Sequence, residues 1–322
     1  MMLSTKLRSV AYLLALLAGF ASAQSVPFGL FGDTPYNRWE REQLPNMMAD
    51  MDRENLAFVV HVGDIKNGSS ECSDEVFKDI HGIFKASKTP LVYVPGDNEW
   101  TDCHRKSNGA YDPQERLNKL RELFFAGELS LGQRVMPLER QSRDPVFASY
   151  RENVRWQMGG AMFVGLNLPG SKNNYAGTGQ TGGPVPEFIA RSAANTAWLA
   201  QAFAQAQADK LAGVMVLIQA DPEFEDENKG QVHPGYQDFL NQLRAHTQAF
   251  GRPVVLVHGD SHRQQINQPM QEPGSREVVA NFTRVQTFGS PILGWIKASV
   301  DASDPQVFRF SPRPWRVSMP KK

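Results

Sequence analysis

Four apolar runs in this 322-residue chain each end in the dipeptide Gly-Asp. They are Phe28 to Asp33 (FGLFGD), Ala57 to Asp64 (AFVVHVGD), Pro90 to Asp97 (PLVYVPGD) and Pro253 to Asp260 (PVVLVHGD). A fifth, Val214 to Asp221 (VMVLIQAD), ends in Ala-Asp. One Gly-Asp after a strand is ordinarily a turn or a helix cap, because Gly permits positive φ and Asp caps. Four of them raise a different expectation. If the runs are neighbouring strands, Asp33, Asp64, Asp97 and Asp260 gather at one sheet edge, with Asp221 as a further candidate. Carboxylates crowded in this way repel one another unless cations or protons compensate them. The chemistry they point to is metal binding.

The elements that must position them follow from the pattern. Short Val/Ile/Leu/Phe runs bounded by Gly read as buried strands. In open α/β sheets, ligands lie beyond the carboxyl ends of such strands. Between the strands, apolar residues recur at helical spacing: Val76, Phe77, Ile80, Ile83 and Phe84 behind a Ser73 cap, then Leu117, Leu120, Leu123 and Phe124. Trp198, Leu199 and Phe203 mark a third helix, and Tyr236, Phe239, Leu240 and Leu243 a fourth. Tyr36 to Glu54 is also helical in pattern, with Pro45 expected to kink or divide it. The first third therefore alternates strand and helix, as right-handed βαβ units do. Val146–Met158 and Ala161–Asn167 flank Gly159-Gly160 like a hairpin. Val278–Phe288 and Ile292–Val300 suggest a second hairpin around Gly289-Ser290-Pro291. The stretches Pro169 to Pro186 and Pro222 to Pro234 read as long loops, the first near the site.

Lys6 and Arg8 precede an apolar stretch and Ala21-Ser22-Ala23, the pattern of a signal peptide over residues 1–23. The stretch is too short for a comfortable membrane span, and no later run is long enough, so the product is expected in the periplasm or secreted. Residues 24–322 are expected to form a single domain. Basic and acidic residues balance at 34 each, which argues against nucleic acid or an anionic membrane as partner. The two cysteines, Cys72 and Cys103, follow Asp64 and Asp97 and would share an oxidising compartment, so a disulfide is expected rather than two free thiols. No CxxC is present to make them a metal pair.

The order and spacing of these residues resemble the calcineurin-like metallophosphoesterases, whose pattern is D-x-H, G-D, G-N-H-[DE], a lone His and G-H-x-H. The resemblance runs from about Gly32 to His262. It implies a four-layer α/β/β/α sandwich of two mixed sheets and a site that hydrolyses a small phosphate ester through a metal-bound hydroxide. Asp33 in GDTP matches the first Asp, and Asp64 the Asp that bridges two metals. Gly96-Asp97-Asn98-Glu99 falls on G-N-H-E, which puts Asp97 at the Asn ligand and Asn98 at the catalytic His. A one-residue shift would instead make Asn98 the ligand. Gln219 falls near the lone His, and Gly259-Asp260-Ser261-His262 on G-H-x-H. Pro35 stands where the first motif has His. Imidazoles are thus replaced by oxygen donors, which favours one or two Mn, Mg or Ca ions over Zn.

Several assignments remain open at this level. His258 and His104 are candidates to replace the missing proton donor, against the plainer reading of His258 as a core histidine. Lys66, Arg105, Arg263 and Arg284 lie near the proposed loops and either bind substrate phosphate or neutralise the aspartates. A non-catalytic relative that binds a ligand, metal or partner is the alternative function. A phosphatase using Asp33 as nucleophile in a D-x-D motif does not fit, because Asp33-Thr34-Pro35 lacks the second Asp.

Overall fold

The computed structural model describes residues 25–179 and 182–316, so the expected signal peptide lies outside the described residues. The chain begins with β1 (Val26–Phe31), α1 (Arg38–Asp52), β2 (Val59–His61), α2 (Asp74–Ala86), β3 (Leu91–Tyr93) and α3 (Pro113–Phe124). There follow β4 (Glu139–Arg140), β5 (Val154–Met158), β6 (Ala161–Gly165), a short turn α4 (Gly170–Asn173) and α5 (Pro186–Ala208). The last third comprises β7 (Gly213–Leu217), α6 (Phe224–Glu227), α7 (Pro234–Phe250), β8 (Val254–His258), β9 (Gln265–Asn267), β10 (Phe282–Gln286), β11 (Gly294–Val300) and β12 (Phe308–Pro314).

Two mixed sheets result. One has the order β12-β11-β1-β2-β3, the other β4-β5-β6-β7-β8-β10-β9. Strands β1, β2 and β3 are mutually parallel, as are β6, β7, β8 and β10, so their carboxyl ends share an edge within each sheet. The inner faces meet in a core that includes Phe28, Val60, Phe163, Leu217, Val257 and Ile296. The outer face of the first sheet packs on Leu44 and Met47 of α1, Phe77 and Phe84 of α2, and Leu120 of α3. Trp198 and Leu199 of α5 with Leu240 and Leu243 of α7 cover the second. This is the expected α/β/β/α sandwich, and burying each such side chain contributes roughly 1.5–3 kcal/mol. No helix of the described residues is long and apolar enough to cross a membrane.

Two expectations are corrected. The segments around Gly289-Ser290-Pro291 do not form a hairpin: β10 pairs with β8 in parallel, and β11 pairs with β1 antiparallel in the other sheet. The intervening residues cross between sheets at the site. Helix α1 is not divided by Pro45 but runs through it as one element. The Gly159-Gly160 hairpin does form, joining β5 and β6. Cys72 and Cys103 are disulfide-bonded, with Cα atoms 5.8 Å apart, and tie the loop after β2 to the loop after β3.

Candidate metal centre

Asp33 follows β1, Asp64 follows β2 and Asp97 follows β3, while Gln219 follows β7 and Asp260 and His262 follow β8. Backbone bonds lock these ends together across the two sheets. Asp33 N–H donates to Gly63 O (3.0 Å), Asp260 N–H donates to Asp33 Oδ1 (2.9 Å) and Gly259 N–H donates to Gln219 O (3.0 Å). Asp33, Asp64 and Asp260 hold φ of 50°, 61° and 71°, the left-handed region that turns each side chain across the strand ends.

Two of the glycines before the aspartates serve their neighbours. A Cβ at Gly96 would strike Asp64 Oδ1 and the Asp64 backbone nitrogen, and one at Gly259 would strike Asp33 Oδ2. Each of these two glycines therefore makes room for the carboxylate of another strand, whereas Gly63 is held at a φ of 91° and Gly32 packs against Val62.

Oxygen or nitrogen atoms of Asp33, Asp64 and His262 lie within 4.8 Å of one another. Between them stands the phenol of Tyr36. Its hydroxyl donates to Asp64 Oδ2 (2.5 Å), accepts from Asn98 Nδ2 (2.8 Å) and lies 3.2 Å from His262 Nε2. His262 Nδ1 is 2.7 Å from Ser290 O, and a carbonyl only accepts, so Nδ1 carries the proton and Nε2 of the neutral ring keeps its lone pair. That tautomer is the one a metal-binding imidazole needs. Nearby, Asp97 and Asp260 converge on Gly170: a Cβ there would lie 2.8 Å from Asp97 Oδ1 and 2.7 Å from Asp260 Oδ1. Asp33 Oδ2 and Asp97 Oδ1 are buried with no hydrogen-bond partner. Buried acceptor oxygens left unpaired are costly unless a cation or proton meets them. The donor set therefore fits a metal, and its oxygen-rich chemistry suits a hard divalent ion.

Burial, and then the neighbouring carboxylates, hold the carboxyls of Asp64, Asp102 and Asp260 well above the ordinary range, Asp102 at about 7 and Asp260 at about 8. Burial is also the leading cause for Asp33 and Glu99. A carboxyl raised on folding stabilises the fold fully below its unfolded pKa, near 4, and loses that contribution as pH rises through the folded value. In chelator, stability should therefore fall on the order of a few kcal/mol between pH 5 and 9. Saturating Mg or Mn should reverse the loss at pH 8.5 and do little at pH 5. Thermal unfolding across this range, with and without cation, checks this, and a flat profile in chelator would contradict it.

Two further candidates adjoin the centre and the rest are dispersed. Gln219 Oε1 accepts from Gly170 N–H (2.5 Å), and Asn98 Nδ2 donates to Asp64 Oδ2 (2.6 Å). Lys66 is buried, with its ammonium donating to Asn98 O (2.6 Å) and Asn67 O (2.9 Å). Arg105 pairs with Asp102 (2.7 Å), Arg263 is exposed, and Arg284 is buried against Glu225 (2.5 Å). His258 is fully buried with Nδ1 3.0 Å from Gly259 O, and burial pushes its pKa down to about 4. Such a ring is neutral at pH 7 and has no proton to spare. His104 is half-buried, with Nδ1 2.7 Å from Thr101 O.

Four participants were not singled out from the sequence: Tyr36, Glu99, Asp102 and Ser171. Glu99 is fully buried and accepts from Tyr93 OH (2.6 Å) and the backbone N–H groups of Gly96 (2.5 Å), Asp64 (3.1 Å) and Ile65 (3.3 Å), pinning two site loops. Ser171 Oγ lies 2.7 Å from Asp97 Oδ2 and 2.8 Å from Asp102 Oδ1. Glu99 carried a signal as the acidic end of the Gly96-Asp97-Asn98-Glu99 motif, and Tyr36 a weaker one, standing three residues beyond the first Gly-Asp aspartate.

Among solved structures, the chain resembles a dimetal phosphatase from Danio rerio, with a TM-score of 0.53, 14% identity and coverage of 90% of this chain and 96% of that one. It also resembles PhoD, with a TM-score of 0.50, 12% identity and coverage of 86% of this chain and 64% of that one. A purple acid phosphatase from yellow lupin (Lupinus luteus) seeds matches at a TM-score of 0.49 and 16% identity, covering 89% of this chain and 53% of that one. This chain thus spans less than two thirds of the last two. The fold is that of the calcineurin-like metallophosphoesterases. No protein-family profile matches the sequence. No curated protein sequence does either.

Proposed function

We propose that the protein is an exported phosphoesterase that hydrolyses a small phosphate ester with one or two divalent cations. The observation that carries this reading is the convergence of Asp33, Asp64, Asp97, Asp260 and His262 from both sheets, with buried carboxylate oxygens left unpaired. Asp33, Asp64 and His262 would hold one cation, and Asp97 and Asp260, with Asn98 or Gln219, a second beside it. Such cations, when bound, supply an activated water and neutralise charge on the phosphoryl oxygens. The residues of the chain do the rest. Tyr36 and Asn98 orient the Asp64 carboxylate, Ser290 fixes the His262 tautomer, and Glu99 holds the loops after β2 and β3 in place. Asn98 has no proton to give a leaving group. Asp102 is better suited, since it borders a cavity beside the centre and Ser171 joins it to Asp97. The disulfide supports export, because such bonds persist in oxidising compartments.

The test is a metal analysis of the purified protein with a panel of phosphomono- and diesters in Mg, Mn, Ca and Zn. Turnover is expected with at least one cation, with Mn, Mg or Ca exceeding Zn. Absence of both metal uptake and turnover would leave the alternative, a protein of this fold that binds a ligand or partner without catalysis. The replacement of four histidines of the motif by Pro35, Asn98, Gln219 and Asp260 is what favours that second reading.

A further inference from the structure

Beside the acidic centre opens a cavity of about 420 Å³ bordered by Asp102, His104, Arg105, Ser171, Lys172 and His233. Ser171 joins it to the centre, for its hydroxyl oxygen lies within hydrogen-bond distance of both Asp97 and Asp102. The border of the cavity also carries basic groups. Arg105 is paired with Asp102, whereas Lys172 adds a positive charge with no acidic partner of its own among the described residues. His233 Nδ1 accepts from Gly235 N–H (3.1 Å), which leaves the proton of the neutral ring on Nε2 as a further donor.

The backbone that presents Lys172 is unusual. Ser171, Lys172, Asn173 and Asn174 have φ of 46°, 59°, 56° and 51°, four consecutive left-handed residues. Each costs roughly 1–2 kcal/mol relative to the right-handed form, less for Asn. The turn persists because buried groups over-determine it. Arg191, fully buried, donates to Asn173 Oδ1 (2.5 Å), Asn173 O (2.8 Å) and Asn167 O (3.1 Å). Tyr236 OH accepts from Asn173 N–H (3.2 Å) and donates to Pro169 O (3.2 Å). Strain held by so many bonds places Ser171 on the acidic centre and Lys172 on the cavity in one stroke, and strain of this kind clusters at functional sites.

We propose that this cavity is the leaving-group subsite and takes a leaving group with negative charge of its own, so that the substrate is a phosphoanhydride. This rests on the hydrolytic reading above. Water would give its oxygen to phosphorus, the bond from phosphorus to the bridging oxygen would break with its electron pair on that oxygen, and the departing phosphate would leave with a proton originating in the water. Lys172 would meet the charge on the departing group.

The test compares the wild-type protein with Lys172→Gln and Lys172→Arg in saturating Mg. One readout is binding of methylenediphosphonate, a non-hydrolysable pyrophosphate analogue, by calorimetry. The other is kcat/KM for inorganic pyrophosphate against p-nitrophenyl phosphate, whose leaving group is an aryl group without a second phosphate. Lys172→Gln should weaken diphosphonate binding and pyrophosphate turnover roughly tenfold, lower p-nitrophenyl phosphate turnover much less, and be rescued by Lys172→Arg. Equal binding by wild type and Lys172→Gln, or an equal loss on both substrates, would overturn the subsite. If no ester or anhydride turns over but Lys172→Gln still weakens diphosphonate binding, the subsite stands and hydrolysis falls.

Discussion

Asp64→Asn is expected to lower turnover by roughly 10³-fold or more while making the metal-free protein more stable. The two effects have one cause. Asp64 is buried among Asp97, Glu99 and Asp33, and burial followed by those charges pushes its carboxyl up. An amide of the same shape removes one of the repelling charges, which should raise the unfolding free energy by about 1 kcal/mol, or roughly 2 °C in Tm for a chain of this size. It also takes away a charged oxygen from the proposed centre. Its NH₂ would face the Asn98 amide or the Tyr36 hydroxyl, which now donate to Asp64 Oδ2. Kinetics, metal titration and thermal unfolding on one preparation check all three consequences. Full activity in this variant would sink the assignment of Asp64 to the metal centre, and a large drop in Tm would show that its role is structural.

The strand ends were legible in the sequence because strands and turns are punctuated locally. An apolar run stopped by Gly-Asp needs no tertiary information to be recognised, and the helical faces around Phe77, Leu120, Leu199 and Leu240 pack as their spacing requires. What was not legible depends on partners distant in sequence. Ser171 reaches Asp97 only because Arg191 and Tyr236, on two later helices, hold a left-handed turn that no local propensity favours. Asp102 sits in a 3₁₀ turn, Thr101–His104, whose neighbour Cys103 is tied to Cys72. The mistaken hairpin at Gly289-Ser290-Pro291 has a similar origin. Gly and Pro there looked like a reversal, but the segment crosses from one sheet to the other over the site. It gives its Ser290 carbonyl to His262 and its Ser290 N–H to Asp33 O (3.1 Å). A Cβ at Gly289 would lie 2.7 Å from the His262 ring. Local punctuation was read correctly there and the destination wrongly.

The same logic makes the glycines the most sensitive positions. Gly96→Ala should destabilise the protein by about 1–3 kcal/mol, or more, and abolish metal binding. Gly96 is not at positive φ, so the cost is purely steric: the new methyl meets the Asp64 backbone nitrogen and carboxylate, and Glu99 already pins that backbone from the other side. Nothing there can yield cheaply. Gly259→Ala separates the two consequences, because its methyl would meet the Asp33 carboxylate rather than a main chain. A side-chain carboxylate yields more readily than a main chain, so Gly259→Ala should lose cation affinity comparably while losing less stability than Gly96→Ala. Chemical denaturation and cation titration of the two variants in parallel decide the matter. If both keep wild-type cation affinity, these two glycines serve the turns alone, and Gly-Asp there is a matter of backbone conformation rather than of room for carboxylates.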